Sequence, residues 1–346
     1  MVSINAFIRI SIIGVYLAAM GLFLTCASLS LADLDPDPGT QGDDIPLVSD
    51  EYERKVDATH QKTSEWLLSA AHWLDSFFGD DRSILEENTT RVKLRMSYGY
   101  SRLDGFDFSP RLSLQLKLPK LSKKALLIIG ISDDDEFDIG DDPVSDEPRN
   151  EDTEKSDLSA GLRYFFKATE NYNLSTTFGA AWGYLYAGLR YRYVYDFGPW
   201  QGRFTDNLKY YTDDGFENQA GIDMERHFSR RWFFRTSVSI DWYEQGDGLP
   251  HTLHLRLYHI LNQHQALKYE VGNYLDTKPQ YQLTEFQFKV CYRQRFFRDW
   301  LIVEIAPQIG FPYDKNHDPN PGIVLRLEAD FGFINDIDVF KAVFGE

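Results

Sequence analysis

The chain has 346 residues, 53 of them acidic and 36 basic, so its formal net charge is −17. Hydrophobic residues make up 43% of it and aromatic residues 15%, its mean hydropathy is −0.40, and it has two cysteines. This composition excludes a disulfide-stapled scaffold, a bundle of transmembrane helices and a generally disordered chain. The acidic balance also argues against a nucleic-acid-binding surface, which would be basic.

Residues 1–32 have the pattern of an export signal. The positive Arg9 precedes an apolar run from Ile10 to Leu24, and a small-residue cleavage site ends at Ala32. An uncleaved membrane anchor needs about 20 apolar residues, and this run is shorter. We therefore predict a signal peptide that is cleaved before Asp33.

Residues 33–89 form a leader that contains one amphipathic helix. Up to about Asp50 the leader is rich in Asp, Gly and Pro and has no periodicity. Between about 51 and 78 the period is helical, and Gly79 follows as a stop. Two adjacent apolar lines run along this helix: Trp66, Ala70, Trp73 and Phe77 form one, and Leu67, Ala71, Leu74 and Phe78 form the other. The helix packs on the following domain, plugs a channel or lies on a membrane surface; the sequence leaves these alternatives open.

From Thr90 to Phe333, period-2 alternation recurs about fourteen times between turn signals, as expected of strands. In the first run, for example, Val92, Leu94 and Met96 oppose Arg91, Lys93 and Arg95. Short connections such as 198–201 and 262–265 alternate with longer ones such as 132–157 and 313–322. Short turns at one end and longer loops at the other are typical of an outer-membrane barrel.

Aromatic residues crowd the tight-turn end, where an interfacial girdle would lie. The clusters are Tyr164, Phe165, Phe166 and Tyr172; Phe197 and Trp200; Phe228, Trp232, Phe233 and Phe234; and Phe296, Phe297 and Trp300. Strands cross a bilayer only when every edge is paired, because lipid supplies no hydrogen bonds. Over residues 90–333, about 70% of the chain, the sequence resembles the Gram-negative outer-membrane β-barrels.

The resemblance is architectural and identifies no particular family. It implies an all-β fold: a closed antiparallel transmembrane barrel of about 14 strands in the outer membrane, with both termini periplasmic and a C-terminal tail at 334–346. The count falls to twelve if Tyr184–Gly188, which is short for an outer loop, continues a strand.

Sorting alternate positions by face assigns 18 basic and 9 acidic side chains to the non-lipid face. Such a wall is expected of any barrel, because a lysine or arginine on the lipid face costs about 2–4 kcal/mol at mid-depth. The charges are therefore either solvated or paired wall residues, or the lining of a pore that concentrates anions. The candidate solute-binding residues are Arg91, Arg95, Arg111, Arg163, Arg190, Arg192, Arg235, Arg256, Arg293 and Arg326.

The stretch Asp133–Asp157 contains thirteen acidic residues and lies on the loop side. A self-repelling loop is the simplest interpretation, and the spacing lacks the Ca²⁺-loop pattern. An acidic mouth would oppose the entry of anions.

The sequence predicts no catalytic residue, metal or cofactor. His227-Phe228-Ser229 matches the His–Ser spacing of outer-membrane lipid hydrolases, but it lies at the tight-turn end without a third group to orient the base. His251 and His259 share a face but are about 27 Å apart at 3.4 Å per residue, too far to share a metal. His254, beside Arg256, would titrate near pH 6.5 and could gate a pore.

The predicted function is a pore for small solutes with an anionic preference, with the leader helix as a candidate plug; whether the lumen is open or plugged stays undecided from the sequence. A sealed structural, surface or envelope-maintenance barrel is the alternative, which a cross-strand ladder of Arg293, Glu304 and Arg326 would favour. An outer-membrane lipid hydrolase is a weaker alternative. The expected partners are outer-membrane lipid, lipopolysaccharide and small anionic solutes, with no nucleic acid, and the protein is expected to be a monomer.

Overall fold

A computed structural model describes residues 77–78, 90–117, 124–132, 157–169, 171–229, 231–298 and 300–331. The predicted signal peptide, most of the predicted helix, the acidic loop between 133 and 156 and the tail 334–346 lie outside these residues. In the described part of the chain, no helix is long and apolar enough to cross a membrane.

The described chain forms fourteen strands. They are β1 Arg91–Ser101, β2 Gly105–Lys117, β3 Ala125–Ser132, β4 Asp157–Ala168, β5 Tyr172–Ala181, β6 Tyr184–Phe197, β7 Trp200–Tyr211, β8 Gly215–Ser229, β9 Trp232–Tyr243, β10 His251–Asn262, β11 Gln265–Asp276, β12 Gln282–Arg295, β13 Leu301–Pro312 and β14 Asn320–Phe331. A single 3₁₀ turn, Tyr313–Lys315, precedes β14.

The strands close into a barrel in which each pairs antiparallel with its sequence neighbours and β1 pairs with β14. The predicted number of fourteen is confirmed, and the alternative of twelve is wrong. Residues 184–188 belong to β6 and are no loop, because Trp182 and Gly183 alone make the turn from β5. Gly183 has a φ of +105°, which side-chain-bearing residues rarely adopt.

The connections divide between two ends of the barrel, as predicted. At the turn end, residues 198–199 join β6 to β7 and residues 263–264 join β10 to β11. At the loop end, residues 244–250 and 313–319 make longer links. We call these the turn end and the loop end below.

The outer face of the barrel is an aliphatic belt between two aromatic girdles. The predicted girdle at the turn end is present, with Phe166, Phe228 and Trp300 among its exposed rings. A second girdle at the loop end was not predicted, and it includes Tyr98, Tyr100, Phe106, Phe108, Phe178, Trp182, Tyr210, Phe216 and Trp242. Leu162, Ile222 and Leu325 are exposed between the two girdles. Two girdles around an apolar band are the exterior of a membrane-spanning barrel.

Glycines on the inner wall make room for a tyrosine. A Cβ on Gly179 would lie 2.3 Å from the Tyr186 ring, and one on Gly161 would lie 2.7 Å from the Tyr186 hydroxyl. Tyr186 of β6 is buried and reaches across Gly179 of β5 to Gly161 of β4.

We expect Gly179→Val to destabilise the barrel by about 1–3 kcal/mol, because it forces Tyr186 off this wall. A urea-unfolding series would measure the loss. Gly183→Ala is unsuitable as a control because of its positive φ, whereas Ala180→Val on the outer face of the same strand supplies one. Equal stability of the Gly179 and Ala180 variants would contradict this packing.

Candidate functional site: the charged interior

The inner wall carries the charged residues, as alternation predicts. All ten candidate arginines occupy inward positions in the strand register. Arg91 and Arg111 are half-buried, and the other eight are buried.

The sequence-based sorting by face needs corrections at Lys167, which it placed on the non-lipid face, and at Asp107 and Glu217, which it omitted. A β-bulge between Phe165 and Lys167 reverses the alternation, so Lys167 pairs with Leu174 and places its Nζ 5.0 Å from the centre of the outward Tyr172 ring. Glu217, which the sorting omitted, lies on the inner wall beside Lys209, 3.7 Å from it. Bulges change the parity of a strand without any signal in the hydrophobic pattern.

The inner wall is biased towards positive charge. Among the described residues, thirteen basic side chains are buried: Lys93, Arg95, Arg163, Arg190, Arg192, Lys209, Arg235, Arg256, Lys268, Lys289, Arg293, Arg295 and Arg326. Seven acidic ones are buried: Glu217, Asp223, Glu225, Glu270, Glu304, Glu328 and Asp330. Buried charges are tolerated only when they are paired and hydrogen-bonded, so their arrangement decides what the interior does.

One group of these charges is a cross-strand ion-pair ladder of Arg95, Arg293, Glu304, Arg326 and Glu328 on β1, β12, β13 and β14. Arg293 donates to Glu304 Oε2 at 3.0 Å and to Glu328 Oε1 at 2.7 Å. Arg326 donates to Glu304 Oε1 at 2.8 Å, and Arg95 donates to Glu328 Oε2 at 3.3 Å. The three-residue ladder considered in the sequence analysis is therefore present, and it extends to β1.

A second group centres on Glu270 of β11. Its Oε1 lies 2.8 Å from His254 Nδ1 and accepts from Arg256 Nε at 3.1 Å. Its Oε2 lies 3.4 Å from Lys268 Nζ. His254 is fully buried, so the histidine considered as a gate on sequence grounds is a member of a paired network. On the neighbouring strands, Arg235 and Glu225 are 2.7 Å apart.

The opposite part of the wall differs. On β2 to β6 the inward charged positions between the strand ends are basic: Arg111, Arg163, Arg190 and Arg192. Asp107 and Asp157 lie near the loop end and Asp196 near the turn end of these strands. We call these four arginines the basic sector. Arg163 donates to Thr177 Oγ1 at 3.1 Å, and Arg192 donates to the Thr169 carbonyl at 3.3 Å.

Around the basic sector the wall is lined by small residues. The inward positions include Ser113, Gly130, Ser159, Gly161, Ser175, Gly179 and Gly188. The ladder side carries long, mutually paired side chains instead. The Tyr186 ring covers Gly161 and Gly179, and the larger Leu126 and Ile128 are also inward on this side.

At the turn end, an apolar patch interrupts the charged wall. Phe233, Tyr258, Ile260 and Ala266 of β9 to β11 are buried there, and they cluster with Phe77 and Phe78 from the predicted leader helix. The Phe78 and Tyr258 ring centres are 5.1 Å apart in an edge contact. We call these six residues the turn-end cluster.

Cations of the inner wall face the two leader phenylalanines. The Arg295 guanidinium lies 5.3 Å from the centre of the Phe77 ring, and Lys268 Nζ lies 5.7 Å from that of Phe78. Such cation–π contacts add to apolar burial. Both phenylalanines are helical and lie on the predicted apolar lines. The rest of the helix is outside the described residues.

The residues considered for hydrolysis make packing and turn contacts at the turn end. The His227 ring packs on Phe233 with centres 4.6 Å apart, and Ser229 Oγ accepts from the Arg231 amide at 3.3 Å in the turn. In the described part of the chain, no group of three His, Cys, Asp or Glu side chains is placed to hold a metal. His251 and His259 stack on Tyr281 and Trp232.

No protein-family model matches the sequence, and no curated protein is similar to it. Solved outer-membrane channels are similar in structure at low identity. The channel DcaP of Acinetobacter baumannii is 8% identical, with 70% of this chain and 96% of that chain covered and a TM-score of 0.42. OprB of Pseudomonas putida is 12% identical, with 73% and 96% covered and a TM-score of 0.44.

An anion-selective porin from Comamonas acidovorans is 10% identical, with 70% of this chain and 99% of that chain covered and a TM-score of 0.42. The fold assignment rests on this chain's own strand pairing and exterior. By its closed ring of fourteen antiparallel strands and its two girdles around an apolar belt, the chain has the architecture of a Gram-negative outer-membrane β-barrel.

Proposed function

We propose that this protein is an outer-membrane channel for small anionic solutes, closed at rest at its turn end by the segment that precedes the barrel. The observation that carries the proposal is the turn-end cluster. An apolar patch on the wall of a water-filled bore is unfavourable unless something covers it, and Phe77 and Phe78 cover this one. Burying each phenylalanine contributes about 1.5–3 kcal/mol, which suits a closure that can be released.

The basic sector supports the anionic preference. Arginine binds carboxylate and phosphate through a planar fork of donors, and low-dielectric walls focus a field of one sign. The acidic residues that pair with basic ones elsewhere on the wall lie on β8 to β14. In this proposal the conducting path runs beside Arg163 and Arg190, near the small inward residues Ser159 and Gly188. Both arginines are buried in this structure, which corresponds to the closed state in the proposal.

We expect replacement of Arg163 and Arg190 by glutamine to lower the anion preference of the open channel. The measurement is the reversal potential in a planar bilayer under a salt gradient, made on protein whose turn end has been opened by deletion of residues 33–80. Arg226→Gln on the outer face is the matched control, because Arg226 lies against the outward rings of Trp200 and Phe228. An unchanged reversal potential in the double variant would remove the basic sector from the proposal.

A sealed barrel without transport is the second candidate, and the ion-pair ladder favours it. Paired charges line the wall of β12 to β1. In that case the charged residues of the inner wall stabilise the fold and have no role in transport. Silence of the leader-deleted protein in the bilayer would favour the sealed barrel over the channel.

A further inference from the structure

One carboxylate faces the lipid in the middle of the apolar belt. Asp206 of β7 lies between the buried, inward Thr205 and Asn207, so it points outward. Along the strand it is between the girdle residues Trp200 and Tyr210. Of the other charged residues in the described strands, Lys167 and Arg226 face outward, and both are at the turn end.

Asp206 has a polar neighbour on the same face. Asn218 of β8 donates from Nδ2 to Asp206 Oδ1 at 3.0 Å. A carboxylate has two acceptor oxygens and a primary amide has two N–H donors, so this bond leaves one oxygen of Asp206 and one N–H of Asn218 available. Acyl chains offer nothing to the remaining oxygen and the remaining N–H, and an ionisable residue at this depth marks a functional surface by default.

We infer that the outer face of β7 and β8 around Asp206 and Asn218 binds a second copy of this chain. A two-fold axis parallel to the membrane normal brings the same residues of two barrels together at the same depth. The remaining N–H of Asn218 in each copy then donates to the remaining oxygen of Asp206 in the other. The pair is self-complementary, which favours a second copy over a different protein or a lipid.

The pair has a small neighbour on its β8 side. Ala220, the β8 partner of Asp206, presents only a methyl group, whereas the β6 partner is the larger Tyr191. Small residues let backbones of membrane proteins come near each other, and polar side chains then bond across the contact. This inference replaces the monomer expected from the sequence, and it is independent of whether the bore conducts.

The first test is native mass spectrometry of the mature protein in detergent and in lipid nanodiscs. The expected mass of the wild type is twice that of the chain, and Asp206→Leu should give the single-chain mass. The exchange of Asp206→Asn together with Asn218→Asp keeps the donors and acceptors and should restore the double mass. A single-chain mass for the wild type in nanodiscs would overturn the inference.

The second test keeps Asp206 intact and so does not depend on whether its variant folds. In a Cys291→Ser background, Leu208→Cys on the exposed outer face of β7 should form a disulfide between two copies in the membrane. Leu325→Cys on β14, on the opposite side of the ring, is equally exposed and should stay single. Equal cross-linking at the two positions would show random collision and overturn the inference.

Discussion

Replacing Phe77 and Phe78 with alanine should turn a silent barrel into a conducting one. Both rings lie in the turn-end cluster with Phe233 and Tyr258, and in the proposed closure these contacts hold the leader at the turn end. Truncating a buried phenylalanine costs about 3–5 kcal/mol, and a loss of 3 kcal/mol lowers an equilibrium constant by more than about a hundredfold. The docked state then loses its advantage, and planar-bilayer recordings should show steady current.

The matched control is the pair Phe296→Ala and Phe297→Ala. These rings are also at the turn end, but they are exposed on the outside of the barrel. The control protein should stay as silent as the wild type. Current of equal size in the wild type, the control and the Phe77/Phe78 variant would contradict the proposed closure.

The largest expected loss of stability follows from Glu328→Gln. Glu328 is fully buried and accepts from Arg293 and Arg95, and Lys93 Nζ lies 4.0 Å away. Removing its charge leaves three buried cations without their shared anion. Breaking a buried ion pair in this way costs about 3–5 kcal/mol. Urea unfolding followed by tryptophan fluorescence should show a correspondingly lower midpoint.

An exposed ion pair supplies the control. Asp314 and Lys315 lie 3.5 Å apart in the loop after β13, where both side chains are in water. Asp314→Asn should change the stability by less than about 1 kcal/mol. If Glu328→Gln were as mild, the ladder would be a hydrated wall feature and would not hold the barrel together.

Much of the fold was predictable because the alternation of apolar and polar residues in each strand shows which face meets the lipid and which faces inward. The alternation of Leu94 with Arg95, repeated along fourteen segments, predicted the strand number, the antiparallel order and the inward face of all ten candidate arginines. A charge facing lipid is costly, so parity alone sorts the wall. The parity argument failed at Lys167, where the bulge left no mark in the sequence pattern.

The arrangement within the site was harder to predict. Partner choice among thirteen buried cations depends on strand register, and register comes from the turns and bulges of the whole ring. The sequence therefore named Arg293, Glu304 and Arg326 as a possible ladder but missed the extension through Glu328 to Arg95. The apolar patch of Phe233 and Ile260 was hidden for a different reason. In the sequence, apolar residues next to a tight turn cannot be told apart from girdle residues. The closed barrel shows that these ones face inward.

The role of the outward Asp206 was also hard to predict from the sequence. One polar residue at a lipid-facing position resembles an imperfection of the alternation. Its place in the middle of the belt and its bond to Asn218 on the next strand become evident once β7 and β8 are in register. A charged residue at a lipid-facing position is therefore informative when the structure places it in the middle of the apolar belt, where exposure of a charge to lipid is costly.

The most informative single experiment on the proposed channel is the reversal potential of the Phe77→Ala, Phe78→Ala protein in a planar bilayer under a tenfold KCl gradient. We expect steady current whose reversal potential has the sign of chloride selectivity, because the proposed open path runs beside Arg163 and Arg190. A cation-selective potential would contradict the role of the basic sector. Persistent silence, also after deletion of residues 33–80, would contradict the channel itself and leave a sealed barrel.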